Sequence, residues 1–148
     1  ESPEPIETIV INELISDIIK TVEKSSIRLV LNEENTVQTS GRQIQLKRAF
    51  NNIIDNSQRY AKKIEINLYT NERDCVIEFN DDGEGIPTNK YEDVFKPFFT
   101  LDPSRNKLKG ESGLGLTITR DIIRSHGGDV KLFGSNLGGL QLKVLLPL

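Results

Sequence analysis

Apolar residues recur along the chain at two different spacings, which separate predicted helices from predicted strands. Residues 12 to 22 show helical spacing, with Asn12 as the predicted N-cap. Residues 42 to 61 form the longest helical pattern, and residues 114 to 126 form another that Gly127-Gly128 ends. We also expect a short helix at residues 88 to 95.

Shorter apolar or alternating runs predict the strands. They occupy residues 8–11, 27–31, 63–70, 74–80, 130–133 and 140–146. Only Asn71-Glu-Arg separates the third run from the fourth, which is typical of a β-hairpin. The expected fold is α+β, a two-layer α/β sandwich in which one mixed sheet carries about three helices on one face.

Two segments lie outside this regular pattern. Residues 1 to 5 have prolines at two of three successive positions and are expected to form a tether. Residues 96 to 112 contain two prolines and many polar groups with little periodicity, which is typical of a lid loop.

Length and composition narrow the class of protein. The 148 residues fit a single domain, and a net charge of -3 argues against a nucleic-acid-binding protein. No apolar run approaches the roughly 18 residues that span a bilayer, so we expect no direct membrane contact. The single cysteine, Cys75, cannot form an internal disulfide. The absence of methionine, even at position 1, leads us to expect a piece of a longer protein.

The longest predicted helix carries a row of polar side chains beside its apolar face. Asn52, Asn56 and Arg59 are spaced i, i+4 and i+7, which aligns them along one edge of the helix. Asparagine offers a neutral oxygen to Mg²⁺, and arginine can form a two-pronged contact with phosphate. The row could therefore hold a metal-bound polyphosphate, although a solvated helix edge has the same appearance.

Two glycine-rich segments add further candidate chemistry. The first is Asn80-Asp-Asp-Gly-Glu-Gly-Ile-Pro87, where a carboxylate at the end of a strand could accept a hydrogen bond from the exocyclic amino group of adenine. The alternative interpretation of this segment is a plain β-turn. Gly110-Glu-Ser-Gly-Leu-Gly-Leu-Thr117 leads into a helix, whose N-terminal N–H groups favour an anion; the alternative is a hinge. The second segment is neither a Walker loop nor a Rossmann fingerprint.

Together these features resemble the four nucleotide-binding boxes of bacterial sensor histidine kinases. The boxes read Arg48-Ala-Phe-Asn-Asn-Ile-Ile-Asp-Asn56-Ser-Gln-Arg-Tyr60, Asp82-Gly-Glu-Gly85, Phe95-Lys-Pro-Phe98 and Gly113-Leu-Gly-Leu116. The resemblance covers nearly the whole chain and is most similar to the osmolarity-sensor kinases of the EnvZ type. One position differs, because Glu111 stands where the family usually has the first glycine of its last box.

The resemblance implies the Bergerat ATP-binding fold, with ATP and Mg²⁺ as ligands. It implies that Asn56 binds Mg²⁺ and that Asn52 and Arg59 interact with the phosphates. It also implies that Asp82 accepts a hydrogen bond from the N6 amino group of adenine. Residues 96 to 112 become the ATP lid, with Arg105 inside it. The other implied nucleotide-site residues are Tyr60, Gly83, Gly85, Ile86, Phe95, Gly113, Leu114, Gly115, Leu116 and Thr117.

The family also implies an ATP-dependent protein histidine kinase whose acceptor lies elsewhere. The acceptor would be a histidine on a separate dimerisation domain, with a response regulator downstream. The only histidine here, His126, precedes two glycines at a predicted helix end, so we expect it to be structural. We expect the isolated domain to be a cytoplasmic monomer and its parent to be a homodimeric inner-membrane sensor.

Three alternatives stay open. Type II topoisomerases, Hsp90 and mismatch-repair proteins share the fold but place a glutamate one helical turn before the metal-binding asparagine, where this chain has Asn52. Anti-sigma serine kinases tend to carry the same glutamate. A regulatory module that binds nucleotide without catalysis is the third, because the boxes indicate binding more directly than turnover.

Overall fold

A computed structural model describes residues 3–22, 28–99 and 115–148 of the chain. In these ranges the α-helices are α1 (Ile11–Val22), α2 (Gln43–Gln58) and α3 (Gly115–Ser125), and two 3₁₀ turns cover Thr88–Lys90 and Asp93–Phe95. The strands are β1 (Glu7–Val10), β2 (Arg28–Glu33), β3 (Gln38–Gly41), β4 (Lys63–Thr70), β5 (Asp74–Asp81), β6 (Asp129–Gly134) and β7 (Leu140–Pro147).

The main sheet has five strands in the order β2-β4-β5-β7-β6. Only β2 and β4 pair in parallel, and the other three pairs are antiparallel, so the sheet is mixed as the sequence predicts. Strands β1 and β3 form a separate two-stranded antiparallel sheet. The two-layer sandwich of helices on a mixed sheet is confirmed, with this small second sheet as an addition.

One face of the main sheet packs against the helices. In β4, Ile64, Ile66 and Leu68 are fully buried, whereas the residues between them are half-exposed, as expected when only one face is covered. The two layers meet where the rings of Phe50 in α2 and Phe79 in β5 lie 6.1 Å apart. Cys75 of β5 is also fully buried, and burial raises the pKa of its thiol to about 12.

The predicted helix start at Asn12 is wrong. Helix α1 begins at Ile11, and Asn12 is a buried residue of its first turn. The amide oxygen of Asn12 accepts the backbone N–H of Val37 at 2.7 Å, and its Nδ2 donates to the carbonyl of Asn35. The side chain therefore fixes the loop before β3 instead of capping its own helix.

Two other expectations need correction. Residues 88 to 95 form two separate 3₁₀ turns rather than one short helix. Strand β3, whose sequence is Gln-Thr-Ser-Gly, was not expected because it has no apolar run.

The start of α2 is capped by a residue far away in sequence. Its N-cap residue, Arg42, makes no side-chain capping bond, and the first turn contains no acidic residue. Instead, the Glu4 carboxylate accepts the backbone N–H groups of Ile44 at 2.5 Å and Gln45 at 3.2 Å. The segment predicted to be a tether thus satisfies donors that every helix leaves unpaired at its N-terminus. Within the described ranges, no helix is both long and apolar enough to cross a membrane.

Candidate functional site

The polar row predicted on the longest helix lies on α2, beside the face that packs on the sheet. The inward positions are buried as the helical spacing predicts, including Phe50, Ile53 and Ser57. Asn52 and Asn56 are half-exposed, and Arg59 is the C-cap residue, whose backbone N–H donates to the carbonyls of Asn56 and Ser57. The row therefore stands at the rim of the core, where its residues are half-exposed.

The start of α3 lies next to this row. Nδ2 of Asn52 donates to the carbonyl of Gly115 at 3.4 Å. The buried hydroxyl of Thr119 lies 2.9 Å from the carbonyl of Gly115 and 3.3 Å from that of Ala49 on α2. These contacts bring the first N–H groups of α3 beside the asparagine row, which is the arrangement that an anion held between the two helices would need.

At the end of β5, the buried carboxylate belongs to Asp81. The side chain of Asp81 is 6% exposed, and its Oδ1 accepts the backbone N–H groups of Gly83 and Leu140, both at 3.0 Å. Burial raises the pKa of Asp81, while these two N–H groups and a hydrogen bond from Ser57 oppose that rise. The result is a carboxylate held inside the protein next to the C-terminal end of α2.

The prediction that Asp82 receives the adenine amino group does not fit this geometry. Asp82 is exposed, and its Oδ1 accepts the backbone N–H groups of Lys62 at 2.8 Å and Lys63 at 3.0 Å. These bonds hold the pKa of Asp82 below its usual value. Its carboxylate thus fixes the start of β4 on the outside of the domain.

A signal in the sequence distinguishes the two aspartates. Cys75, Ile77 and Phe79 alternate along β5 and belong to the core, so the same alternation turns Asp81 inward and Asp82 outward. The spacing of the loop gives the same answer, because an Asp-x-Gly-x-Gly pattern that ends with Gly83 and Gly85 begins at Asp81. Ser57 and Leu140, which hold Asp81, had no comparable signal because both contacts are long-range.

The glycine loop packs closely against the end of α2. A Cβ atom on Gly83 would lie 2.7 Å from the carbonyl oxygen of Tyr60, so only glycine allows this approach. Gly85 has a φ of +74°, a conformation that favours glycine, and Ile86 packs against the core. The structure thus brings Tyr60 and Gly83 close to Asp81, while Gly85 and Ile86 follow in the same loop.

The Phe95 segment is fastened to α3. The hydroxyl of Thr117 donates to the carbonyl of Phe95 at 2.6 Å. The guanidinium of Arg120 lies 4.3 Å from the centre of the Phe95 ring and pairs through both terminal nitrogens with Glu92. Arg120 was not among the predicted site residues. Leu116, which was, is buried and belongs to the hydrophobic core.

Several predicted site residues lie outside the described residues. They are Arg105, Gly113 and Leu114, together with residues 100 to 112 of the predicted lid. Of the predicted lid, residues 96 to 99 are described, and Phe98 among them is 71% exposed with a φ of 64°.

The donor atoms of the candidate site bear on whether it could hold Mg²⁺. Within the described ranges, no group of three or more histidine, cysteine, aspartate or glutamate side chains could hold a metal ion. The half-exposed Asn56 offers a hard, neutral oxygen of the kind that Mg²⁺ accepts. A single neutral ligand suits a metal whose remaining ligands come from phosphate and water, so the residues fit a metal that arrives with a nucleotide.

His126 occupies the opposite end of α3 and is structural. Its Nε2 accepts the backbone N–H of Arg42 at 3.0 Å, and its Nδ1 lies 2.8 Å from the carbonyl of Ile122. This pattern requires a neutral ring that carries its proton on Nδ1. Both nitrogens are therefore occupied by backbone groups, in agreement with the expected structural role.

Fold and site together define a nucleotide-binding domain with a buried carboxylate at one end and an asparagine row at the other. Residues 41–148 match the family described as histidine kinase-, DNA gyrase B-, and HSP90-like ATPase. The chain belongs to this family.

The curated relatives point to the kinase branch. The chain is 36% identical to the sensor histidine kinase GtrS of Pseudomonas aeruginosa over 108 residues, which are 72% of this chain and 22% of GtrS. It is 39% identical to the sensor histidine kinase CpxA of Escherichia coli over 104 residues, which are 70% of this chain and 23% of CpxA. The chain thus spans less than a quarter of these relatives.

Solved structures agree with the fold. A mycobacterial sensor histidine kinase, MprB, superposes with a TM-score of 0.83 at 25% identity, and 97% of each chain is covered. The catalytic domain of the histidine kinase ThkA superposes with a TM-score of 0.82 at 23% identity, again with 97% coverage of each chain. The chain therefore has the fold of these histidine kinase structures.

Proposed function

We propose that this domain binds Mg-ATP and donates the γ-phosphoryl group to a histidine on a separate dimerisation domain of a two-component sensor kinase. The observation that carries the proposal is Asn52, one helical turn before Asn56 and bonded to the Gly115 carbonyl. A hydrolysing enzyme of this fold needs an acid at that position to activate water, and an amide cannot act as a base. The nearest acid on the helix, Asp55, is exposed.

The phosphate end would be built from two helices. Asn56 would offer its amide oxygen to Mg²⁺, while Arg59 and the N–H groups that open α3 would contact the phosphates. Bound Mg²⁺ would neutralise charge on the phosphates during transfer. Asn52 would orient the start of α3 through its bond to Gly115.

At the base end we assign the adenine contact to Asp81 instead of Asp82. The Oδ1 atom of Asp81 already accepts two backbone N–H groups, which fixes the plane of the carboxylate. An ionised carboxylate only accepts hydrogen bonds, so it suits the amino group of adenine and opposes the carbonyl of guanine at the same place. Tyr60, Gly83, Gly85 and Ile86 would surround the base.

The acceptor histidine would come from another domain. His126 lies beyond the far end of α3, an 11-residue helix that spans roughly 15 Å. Both of its ring nitrogens are bonded to backbone groups, so it is unsuited to attack a phosphate held at the start of that helix. The partners would be a dimerisation domain of the same kinase and a downstream response regulator, on the cytoplasmic side of a homodimeric membrane sensor.

The test is transfer of label from [γ-³²P]ATP. The domain is mixed with Mg²⁺ and the dimerisation domain of its own kinase, made as a separate chain. Label should appear on the acceptor and not on the domain itself. Asn56→Ala should abolish transfer, whereas Asn51→Ala, a matched change on the same helix, should leave it intact.

Each other outcome has a defined meaning. Fast multiple-turnover ATP hydrolysis without the acceptor would place the domain among the hydrolysing ATPases. ATP binding with no transfer to any histidine would indicate a regulatory module. Failure to bind ATP with Mg²⁺ in calorimetry would reject the nucleotide site altogether.

A further inference from the structure

The hydroxyl of Thr119 connects the two helices that form the phosphate end of the candidate site. It lies 2.9 Å from the carbonyl oxygen of Gly115, one turn earlier in α3, and 3.3 Å from the carbonyl oxygen of Ala49 in α2. A hydroxyl group has a single proton, so this proton lies between two acceptors on different helices. The contact therefore ties the first turn of α3 to a defined point on α2.

This contact is shielded from water. Thr119 and Ala49 are both 0% exposed, and a buried hydroxyl group is costly unless it is hydrogen-bonded. Asn52 also bonds to the Gly115 carbonyl, but at 3.4 Å and from a half-exposed position. The hydroxyl of Thr119 is thus a shorter and better-shielded contact to Gly115 than the amide of Asn52.

The point of attachment on α2 is in line with the asparagine row. Ala49 precedes Asn52 by three residues and Asn56 by seven, so the three residues lie along one side of the helix. A change in the distance between the helices at Ala49 would therefore move the first N–H groups of α3 relative to both asparagines.

The rest of α3 is fixed independently of Thr119. At its far end, Nε2 of His126 accepts the backbone N–H of Arg42 at 3.0 Å, and in its first turn Leu116 belongs to the hydrophobic core. Valine has nearly the shape of threonine but no hydroxyl group, so Thr119→Val would fill the same space. We expect this change to keep the fold and to loosen only the tie between the two helices.

We infer that Thr119 is a positioning residue that sets the separation of α2 and α3 at the phosphate end, and thereby how tightly the phosphate groups of the nucleotide are held. The inference rests on the proposed nucleotide site and adds to it a buried residue that touches neither nucleotide nor metal. The physical reason is preorganisation. Phosphate ligands on two separate helices bind tightly when they already have the correct spacing, because ordering them on binding would cost affinity.

The experiment measures how the wild-type chain and Thr119→Val bind two ligands, ATP with Mg²⁺ and adenosine, which has no phosphate. In Thr119→Val the affinity for ATP should fall about three- to tenfold, the scale of one hydrogen bond. The affinity for adenosine, followed by NMR titration, should stay within about twofold, because this ligand makes no phosphate contacts.

Two matched variants accompany this comparison. Thr119→Ser keeps the hydroxyl group and should restore the affinity for ATP to within about twofold of the wild type. Thr21→Val removes a hydroxyl that donates to the carbonyl of Ile18 at 2.7 Å within α1, a helix that carries none of the candidate site residues. It should change neither affinity.

The acceptor-labelling assay gives a second readout that a purely structural role would not move. In Thr119→Val the KM for ATP should rise by the same factor as the dissociation constant, and in Thr119→Ser it should return. A variant that is only less stable contains fewer active molecules, which lowers the labelling rate at saturating ATP and leaves KM unchanged.

Equal losses of affinity for ATP and adenosine, or a KM equal to that of the wild type, would mean that Thr119 only supports the fold and would overturn the inference. Failure of Thr119→Ser to restore ATP binding would overturn it as well. The wild-type chain decides the proposed function separately. Transfer of label by the wild type, together with unchanged ATP affinity in Thr119→Val, would reject the inference and keep the proposed function, whereas a wild type that binds no ATP would reject both.

Discussion

His126 joins the end of α3 to the beginning of α2 by accepting the backbone N–H of Arg42 on Nε2, at 3.0 Å. Helix α3 is thus tied to α2 at both of its ends, since Asn52, in the middle of α2, bonds to Gly115 at the start of α3. Gly41 belongs to the same junction, where a Cβ atom would lie 2.9 Å from the imidazole Cδ2. The histidine is therefore a spacer between two helices that must keep a fixed separation.

Replacing His126 by alanine should lower the free energy of unfolding by about 1–3 kcal/mol. The change leaves the Arg42 N–H in a partly buried place without its acceptor, and that desolvation cost is of this size. Urea unfolding followed by circular dichroism measures it. Arg42→Ala is the matched control, because it keeps the backbone donor and should cost much less; equal losses in both variants would contradict the spacer role.

Replacing Glu4 by alanine should destabilise the domain by about 1 kcal/mol, as expected for the loss of a helix cap. Glu4 is the carboxylate that satisfies the N–H groups of Ile44 and Gln45, and the first turn of α2 has no acid of its own. Glu7→Ala, an exposed glutamate on neighbouring β1, should have little effect. Amide exchange at Ile44 and Gln45 gives a local readout, and unchanged protection there in Glu4→Ala would refute the capping role.

Asp81→Asn should separate stability from recognition. Burial raises the pKa of Asp81 above its ordinary value of 3.8, so the native state holds this proton more tightly than the unfolded state does. The stability gained from the protonated side chain is therefore complete only below pH 3.8 and is lost as the pH rises. At pH 7, well above that ordinary value, burying this carboxyl group therefore costs stability, and the amide should unfold at an equal or higher urea concentration. Affinity for ATP should nevertheless fall, because an amide can present a donor where the base needs an acceptor.

Asp82→Asn is the paired control, and its effects should run the other way. Backbone N–H groups lower the pKa of Asp82 below its ordinary value of 3.8. The ionised carboxylate therefore stabilises the fold at pH values above 3.8, and this stability is lost as the pH falls. The variant should be less stable at pH 7 and should bind ATP as the wild type does. Loss of ATP affinity in Asp82→Asn with none in Asp81→Asn would return the base contact to Asp82.

Alkaline pH should weaken the fold through Tyr69 and Cys75. Burial raises the pKa of both side chains to about 12, aided at Tyr69 by its hydrogen bond to Glu78, whereas their ordinary values are 10.0 and 9.0. The native state thus holds these protons more tightly, so stability is complete below about pH 9 and declines as the pH rises towards 12. Unfolding measured from pH 8 to 12 should decline less steeply in Tyr69→Phe and in Cys75→Val; slopes identical to the wild type would contradict this cause.

The elements that could be predicted from the sequence are those whose own spacing decides their packing. Helix α2 and the hairpin of β4 and β5 fall where their periodicity places them, because one face of each is apolar and must be buried. Strand β3 escaped prediction because its polar residues form a strand only through pairing with β1, about 30 residues away in sequence.

The candidate site shows the same division between local and long-range information. The asparagine row and the glycine loop could be recognised because each is a short motif on a single element. Asn12 looked like a cap because its partner, the N–H of Val37, lies 25 residues away. Likewise, only the fold reveals that Ser57 and Leu140 hold Asp81, while the choice of Asp81 over Asp82 was available from the alternation of β5.

The buried Cys75 turns the domain into a reporter of its own opening. It is the only thiol in the chain, it has no exposed surface, and its raised pKa keeps it in the unreactive protonated form. A thiol reagent can therefore modify the protein only when the structure around Cys75 opens. The rate of modification, followed by mass spectrometry, will give the opening frequency of the core directly, and its slowing with added ATP will measure how strongly the nucleotide holds the two layers together.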